Sequence, residues 1–138
     1  AEVGRTSLTA LANGWGDHST WQISVWEALG IETLVIAAFV AVVLAATSLT
    51  ANANHAPAAI GITFGALVTL TIPLTNGAIN PARSTATAVF ADTWALGQLW
   101  TWWLAAIVAV VVVGLAFRAF GPSEDLEDPK AHVSPPAS

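Results

Sequence analysis

Asn80-Pro81-Ala82-Arg83 is a polar tetrapeptide set between two apolar runs, and its reading decides the fold. Gly61 to Leu74 precedes it, with turn residues at Thr75-Asn76-Gly77. Ser84 to Phe90 follows as a short amphiphilic stretch, and then a long apolar run. An arginine between membrane segments is costly in hydrocarbon and marks function by default. The local chemistry reads as a helix start. Asn is a preferred N-cap, and Pro at the first helical position gives up an N–H that would lack a partner anyway. The spacing predicts a short helix from Pro81 to about Phe90. Spanning hydrocarbon takes about 20 residues, so this helix stops short. A half-helix at membrane depth persists only where its end is buried in protein or lines a cavity.

The membrane setting comes from composition. Apolar residues make up 55% of the 138 and charged residues 9%, against about a quarter charged in soluble domains. The absence of Cys excludes disulfides and says nothing more about redox compartment. The net charge of −5 is a poor guide to partners, because Glu124, Asp125, Glu127 and Asp128 crowd one short tail. No basic patch offers itself to nucleic acid. His18, His55 and His132 read as loop histidines, and no His, Asp or Glu grouping has metal-ligand spacing. No metal or cofactor is expected. An enzyme is not expected either: no base is paired with a nucleophile, and no glycine-rich phosphate loop follows a strand.

Moving outward, three stretches read as membrane spans, which makes the fold class an all-α membrane protein. The first covers residues 23–46, where Ile31, Leu34, Val35, Ala38, Phe39 and Val42 recur at helical spacing. Glu27 reads as a solvated end residue. Glu32 lies deeper and needs partners. The second span covers residues 56–73, opened by Pro57 and closed by Pro73. Gly61 and Gly65 have the spacing that lets membrane helices approach, and read as packing. The third span covers residues 96–119. Trp94, Trp100, Trp102 and Trp103 stand at its start and read mostly as an interfacial belt. Arg118 closes that span and Lys130 follows it, which favours a cytoplasmic C-terminus. Residues 121–138, acidic and Pro-rich, read as a disordered cytoplasmic tail. Residues 1–22 form a polar lead-in with turn chemistry at Asn13-Gly14, Gly16 and Asp17.

Asn80-Pro81-Ala82 followed by Arg83, between two hydrophobic spans, resembles the second signature motif of the aquaporin (major intrinsic protein) family. The run from Ile72-Pro73-Leu74-Thr75-Asn76 through Asn80 to Ala86 is similar to the bacterial aquaporin Z branch. So are Trp94-Ala95-Leu96 and Gln98-Leu99-Trp100, and the likeness reaches back to Asn13-Gly14 and Asp17-His18-Ser19. The resemblance implies the C-terminal half of that fold, three transmembrane helices plus one re-entrant loop and half-helix at residues 74–90. The chain then reads as a fragment whose pore is completed by a missing first half. Homotetramers in the plasma (inner) membrane are implied, with the lipid bilayer and water as partners and no nucleic acid.

The resemblance also distributes roles. Residues 1–22 become an extracellular loop whose carbonyls brace Arg83. Glu32 accepts hydrogen bonds from the backbone of the pore loop. The half-helix, shaped by Pro81 and Ala82, points its positive end at the bilayer midplane. Asn80 caps it and offers its side-chain NH2 to a water oxygen. Carbonyls of Gly77, Ala78 and Ile79 supply acceptors, and Arg83 stands in the outer constriction. Two positions depart from the branch: Val68 replaces a usual His, and Gly77 a usual Thr. Both widen the filter and suit glycerol-like solutes. Ser84, Ala88 and the Trp102-Trp103 pair match the water class. The expected function is a passive water channel. The alternatives are a facilitator for glycerol or another small neutral solute, and a non-conducting truncated membrane subunit.

Overall fold

The computed structural model describes residues 9–49, 51–91 and 93–122. The start of the expected loop, the polar break at Asp92, and the expected tail beyond residue 122 lie outside the described residues. Every element among the described residues is helical: a 3-10 turn at Gly16–His18, then α1 Val25–Ala46, α2 Ala56–Thr75, α3 Pro81–Phe90 and α4 Thr93–Phe120. Helices α1, α2 and α4 are long and apolar enough to cross a membrane; α3, at ten residues, is not.

α1 starts at Val25 because Ser24 caps it. Its hydroxyl accepts from the Glu27 N–H at 3.3 Å, and the Glu27 carboxylate accepts from the Ser24 N–H at 2.7 Å. This is a reciprocal capping box. Glu27 is therefore part of the cap rather than only a solvated end residue. α2 does not stop at Pro73, which lies inside the helix. Proline forfeits its own amide bond, yet its fixed φ suits a helical turn, so two further residues follow. The stop comes from Asn76, at φ 59° in the left-handed region, whose N–H returns to the carbonyls of Ile72 and Thr71.

α1 packs against α2 and α4, and α3 packs against α4. α4 buries one stripe, Ala95, Gln98, Thr101, Trp102, Ala105 and Ala109, at three- and four-residue steps. Its alanines let α1 approach closely, and Val35, Ile36, Ile79, Ala105, Ala106 and Ala109 form one buried cluster. Ile23, Ala28, Ala78 and Trp102 form a second. Trp102 is thus 2% exposed and part of the core, whereas its neighbour Trp103 is 46% exposed. Successive residues on a helix point about 100° apart, so the pair divides between core and surface. Leu104, Ile107, Val108, Val111 and Leu115 remain exposed, a face suited to lipid.

Candidate functional site

The segment joining α2 to α3 carries three positive φ angles in a short span. Asn76 is at 59°, Gly77 at 64° and Ile79 at 41°. Gly77 takes this conformation without a Cβ penalty. A Cβ built there would sit 3.1 Å from Cγ1 of Val68. The two positions that depart from the aquaporin Z pattern are therefore in direct contact: Val68 fills the space beside Gly77. Ile79 is different, because a β-branched residue at positive φ is strained. Two things hold it. Its side chain is buried against the cluster of Val35, Ile36 and Ala105. Its N–H donates to Oε2 of Glu32 at 2.7 Å.

Glu32 is 0% exposed. Its other carboxylate oxygen, Oε1, accepts from the hydroxyl of Thr75. One side chain of α1 thus holds the last residue of α2 and the loop residue before Asn80. A buried carboxylate needs such partners, since water does not supply them there.

Asn80 caps α3 through Oδ1, which accepts from the N–H groups of Ala82 at 2.9 Å and Arg83 at 3.3 Å. Pro81 occupies the first helical turn, where no N–H is needed. Asn80 is exposed, and its Nδ2 meets no protein acceptor among the described residues. Ala78 is buried, and its carbonyl accepts from the Asn80 N–H. Among the described residues no donor meets the carbonyls of Gly77 or Ile79. Ala82 is exposed on the first turn of α3.

Arg83 is half-buried. Its Nη1 donates to Oδ1 of Asn13 at 3.0 Å, and the hydroxyl of Ser84 donates to the same oxygen at 2.7 Å. The loop does brace the arginine, but through a side-chain oxygen. Its backbone carbonyls serve another residue: Ala10 and Ala12 accept from Nδ2 of Asn76 at 2.8 and 3.1 Å. The lead-in is fastened at several further points. Ser19 Oγ donates to the Leu74 carbonyl at 2.7 Å. The Trp15 N–H donates to Oε1 of Gln98 at 2.9 Å, and Nε2 of Gln98 returns to the Trp15 carbonyl at 3.2 Å. The Trp15 indole donates to Thr101 Oγ1 at 3.2 Å. His18 is exposed, as a loop histidine should be, yet it stacks on Trp94 at 3.7 Å between ring centroids. A Cβ on Gly14 would lie 2.6 Å from the Cβ of His18, so only glycine fits beneath that stack.

Sequence reading missed Asn13, Thr75, Trp15 and Gln98 as site residues. Gln98 carried a usable signal, being an uncharged polar residue in an otherwise apolar run. Asn13 carried only the family likeness of Asn13-Gly14 and its turn chemistry, neither of which points to a side-chain clamp. Among the described residues no group of acidic, His or Cys side chains could hold a metal ion.

Residues 6–117 match the family model described as major intrinsic protein. The chain is 41% identical over 119 residues to the aquaporin Z of Photorhabdus laumondii subsp. laumondii, an alignment covering 85% of this chain and 52% of that protein. The chain therefore spans about half the length of this curated relative.

Proposed function

The chain belongs to the major intrinsic protein family, in its aquaporin Z branch, and from that premise we propose that it forms one half of a passive transmembrane water channel. A second half of the same kind completes the pore. The observation that carries this reading is the start of α3. There Asn80 spends its oxygen on the helix cap while its Nδ2 stays free of protein acceptors among the described residues, one turn from a tethered Arg83. An amide donor, an orienting helix dipole and a guanidinium then face the same path.

Each group contributes a distinct effect. The N-terminal end of α3 carries partial positive charge and opposes cations and protons. Asn80 donates to a passing water oxygen, which turns that water and interrupts a proton wire. The carbonyls of Gly77 and Ile79, which no donor meets among the described residues, accept from water along one wall, while that of Ala78 takes the Asn80 N–H. Arg83 donates at the outer constriction and repels cations. Glu32 holds the loop that presents these carbonyls. No step is chemical, so the protein is no enzyme and needs no cofactor. We place it in the plasma (inner) membrane as a multi-pass homotetramer, each protomer lining its own pore.

A second reading, passage of glycerol or another small neutral solute, is favoured by the Val68–Gly77 contact, which leaves that part of the filter apolar. Stopped-flow light scattering separates them. Vesicles carrying the chain with a complementary first half should shrink in sucrose faster than bare lipid, and recover slowly in glycerol. Fast recovery in glycerol selects the second reading. Water flux equal to bare lipid overturns both and leaves a non-conducting membrane subunit.

A further inference from the structure

We infer that Asn13 is the positioning residue for Arg83: its amide, bonded at once to the end of α2 and the start of α3, sets where the guanidinium stands and how well small neutral solutes are rejected. The solute-rejecting role presumes the channel proposed above; the tether itself does not.

A side-chain amide has two N–H donors and two acceptor lone pairs, and Asn13 uses all four. Nδ2 donates to the carbonyls of Thr75 at 2.9 Å and Asn76 at 2.8 Å. Oδ1 accepts from Arg83 and Ser84. Only one orientation works. Turned over, the amide would aim hydrogens at two donors and lone pairs at two carbonyls. Asn13 is 2% exposed, so water could not repair the mismatch.

The carbonyls of Thr75 and Asn76 lie at the C-terminal end of α2, where helix carbonyls lack internal partners. Asn13 satisfies them and thereby takes a fixed place relative to α2. Ser84 fixes the same oxygen from α3, one residue from the arginine itself. The acceptor is thus located from both sides before the guanidinium reaches it. Arg83 makes no other side-chain hydrogen bond among the described residues. Without Asn13 its long side chain regains the rotamer freedom that the tether removes.

Arginine occurs at positions 5, 83 and 118, so arginine-selective 15N labelling in lipid nanodiscs yields few guanidinium signals, and Arg83→Lys assigns the one of interest. We expect hindered rotation and slow Nη–H exchange at Arg83 in the wild type, collapsing to a free-arginine signal in Asn13→Ala. An Arg83 signal already averaged in the wild type, or unchanged in Asn13→Ala, overturns the tether. Should Asn13→Ala not fold by tryptophan fluorescence, Asn13→Ser keeps a small polar group at the end of α2 but falls short of Arg83 and should average its signal; a hindered Arg83 signal there overturns the tether equally. In conducting vesicles, Asn13→Ala should raise the urea-to-water permeability ratio roughly tenfold, the population change that follows losing one hydrogen bond to a charged group. It should add nothing in an Arg83→Ala background. An unchanged ratio, or the same rise in both backgrounds, overturns the solute-rejecting role. Wild-type vesicles without flux defeat the channel reading instead, and the spectroscopic arm then decides the tether alone.

Discussion

Glu32 shows how one buried side chain sets a loop. Its two oxygens meet a hydroxyl from Thr75 and an amide from Ile79. The two partners differ in what they tolerate. A hydroxyl can turn and accept, whereas a backbone N–H only donates. Glu32→Gln should therefore be mild, with the new amide donating to Thr75 and its oxygen still serving Ile79. Glu32→Leu should cost about 2–3 kcal/mol more, the price of a buried N–H left without an acceptor. Unfolding midpoints in mixed detergent micelles compare the two; equal losses would show that the carboxylate's charge, not its geometry, matters. Gly77 offers a second test. Gly77→Ala meets both the left-handed backbone and Val68. It should destabilise by about 1–2 kcal/mol from the backbone alone. Val68→Ala in the same chain should recover the steric part and leave the backbone part, which a double-mutant cycle measures. None of this coupling was legible in the sequence. Val68 and Gly77 were each visible as departures from a pattern, but their contact depends on how the turn folds back.

At the level of elements, the short helix was the most legible part of the chain. Asn80-Pro81 carries a cap and a first-turn proline side by side, and both act locally. The cap and the proposed pore donor reside on different atoms of Asn80, so they separate by mutation. Asn80→Asp keeps the capping oxygen and adds charge that favours a helix N-terminus. It should fold with an unchanged melting profile and yet leak protons, read as faster acidification of vesicles loaded with a pH dye. A melting loss of about 1 kcal/mol or more, as for a missing cap, would contradict that separation. The end of α2 was less legible, since a proline near a helix end reads as a stop unless the next turn is seen. The tryptophans of α4 were hardest. A helix apolar all round has no amphipathic stripe, so sequence alone does not say which Trp faces inward. Trp102→Ala should cost about 3–5 kcal/mol through the cavity it opens. Trp103→Ala, which gives up an indole bond to Thr85 at 3.1 Å, should cost about 1 kcal/mol or less. The same detergent titration ranks them.

The whole molecule divides its labour between a thin buried seam and broad apolar exteriors. Ile62, Leu70 and Ile72 on α2 stay exposed, as does much of α4. Three spans were legible from composition because hydrocarbon demands length and apolarity and little else. The ties that join the lead-in to the helices were not. Asn13 reaches Thr75 and Ser84 across 62 and 71 positions of chain, and no local pattern encodes such distances. The reciprocal pair of Trp15 and Gln98 spans 83 positions. During synthesis the lead-in emerges before the helices it is fastened to, and its clasp on α4 has no counterpart until that helix has left the ribosome. Assembly on that side of the membrane must therefore finish late, with contacts of the widest sequence separation closing after the local helices form. Nascent chains halted before Thr93 should leave the segment around Trp15 open to protease, and chains released after Phe120 should shield it.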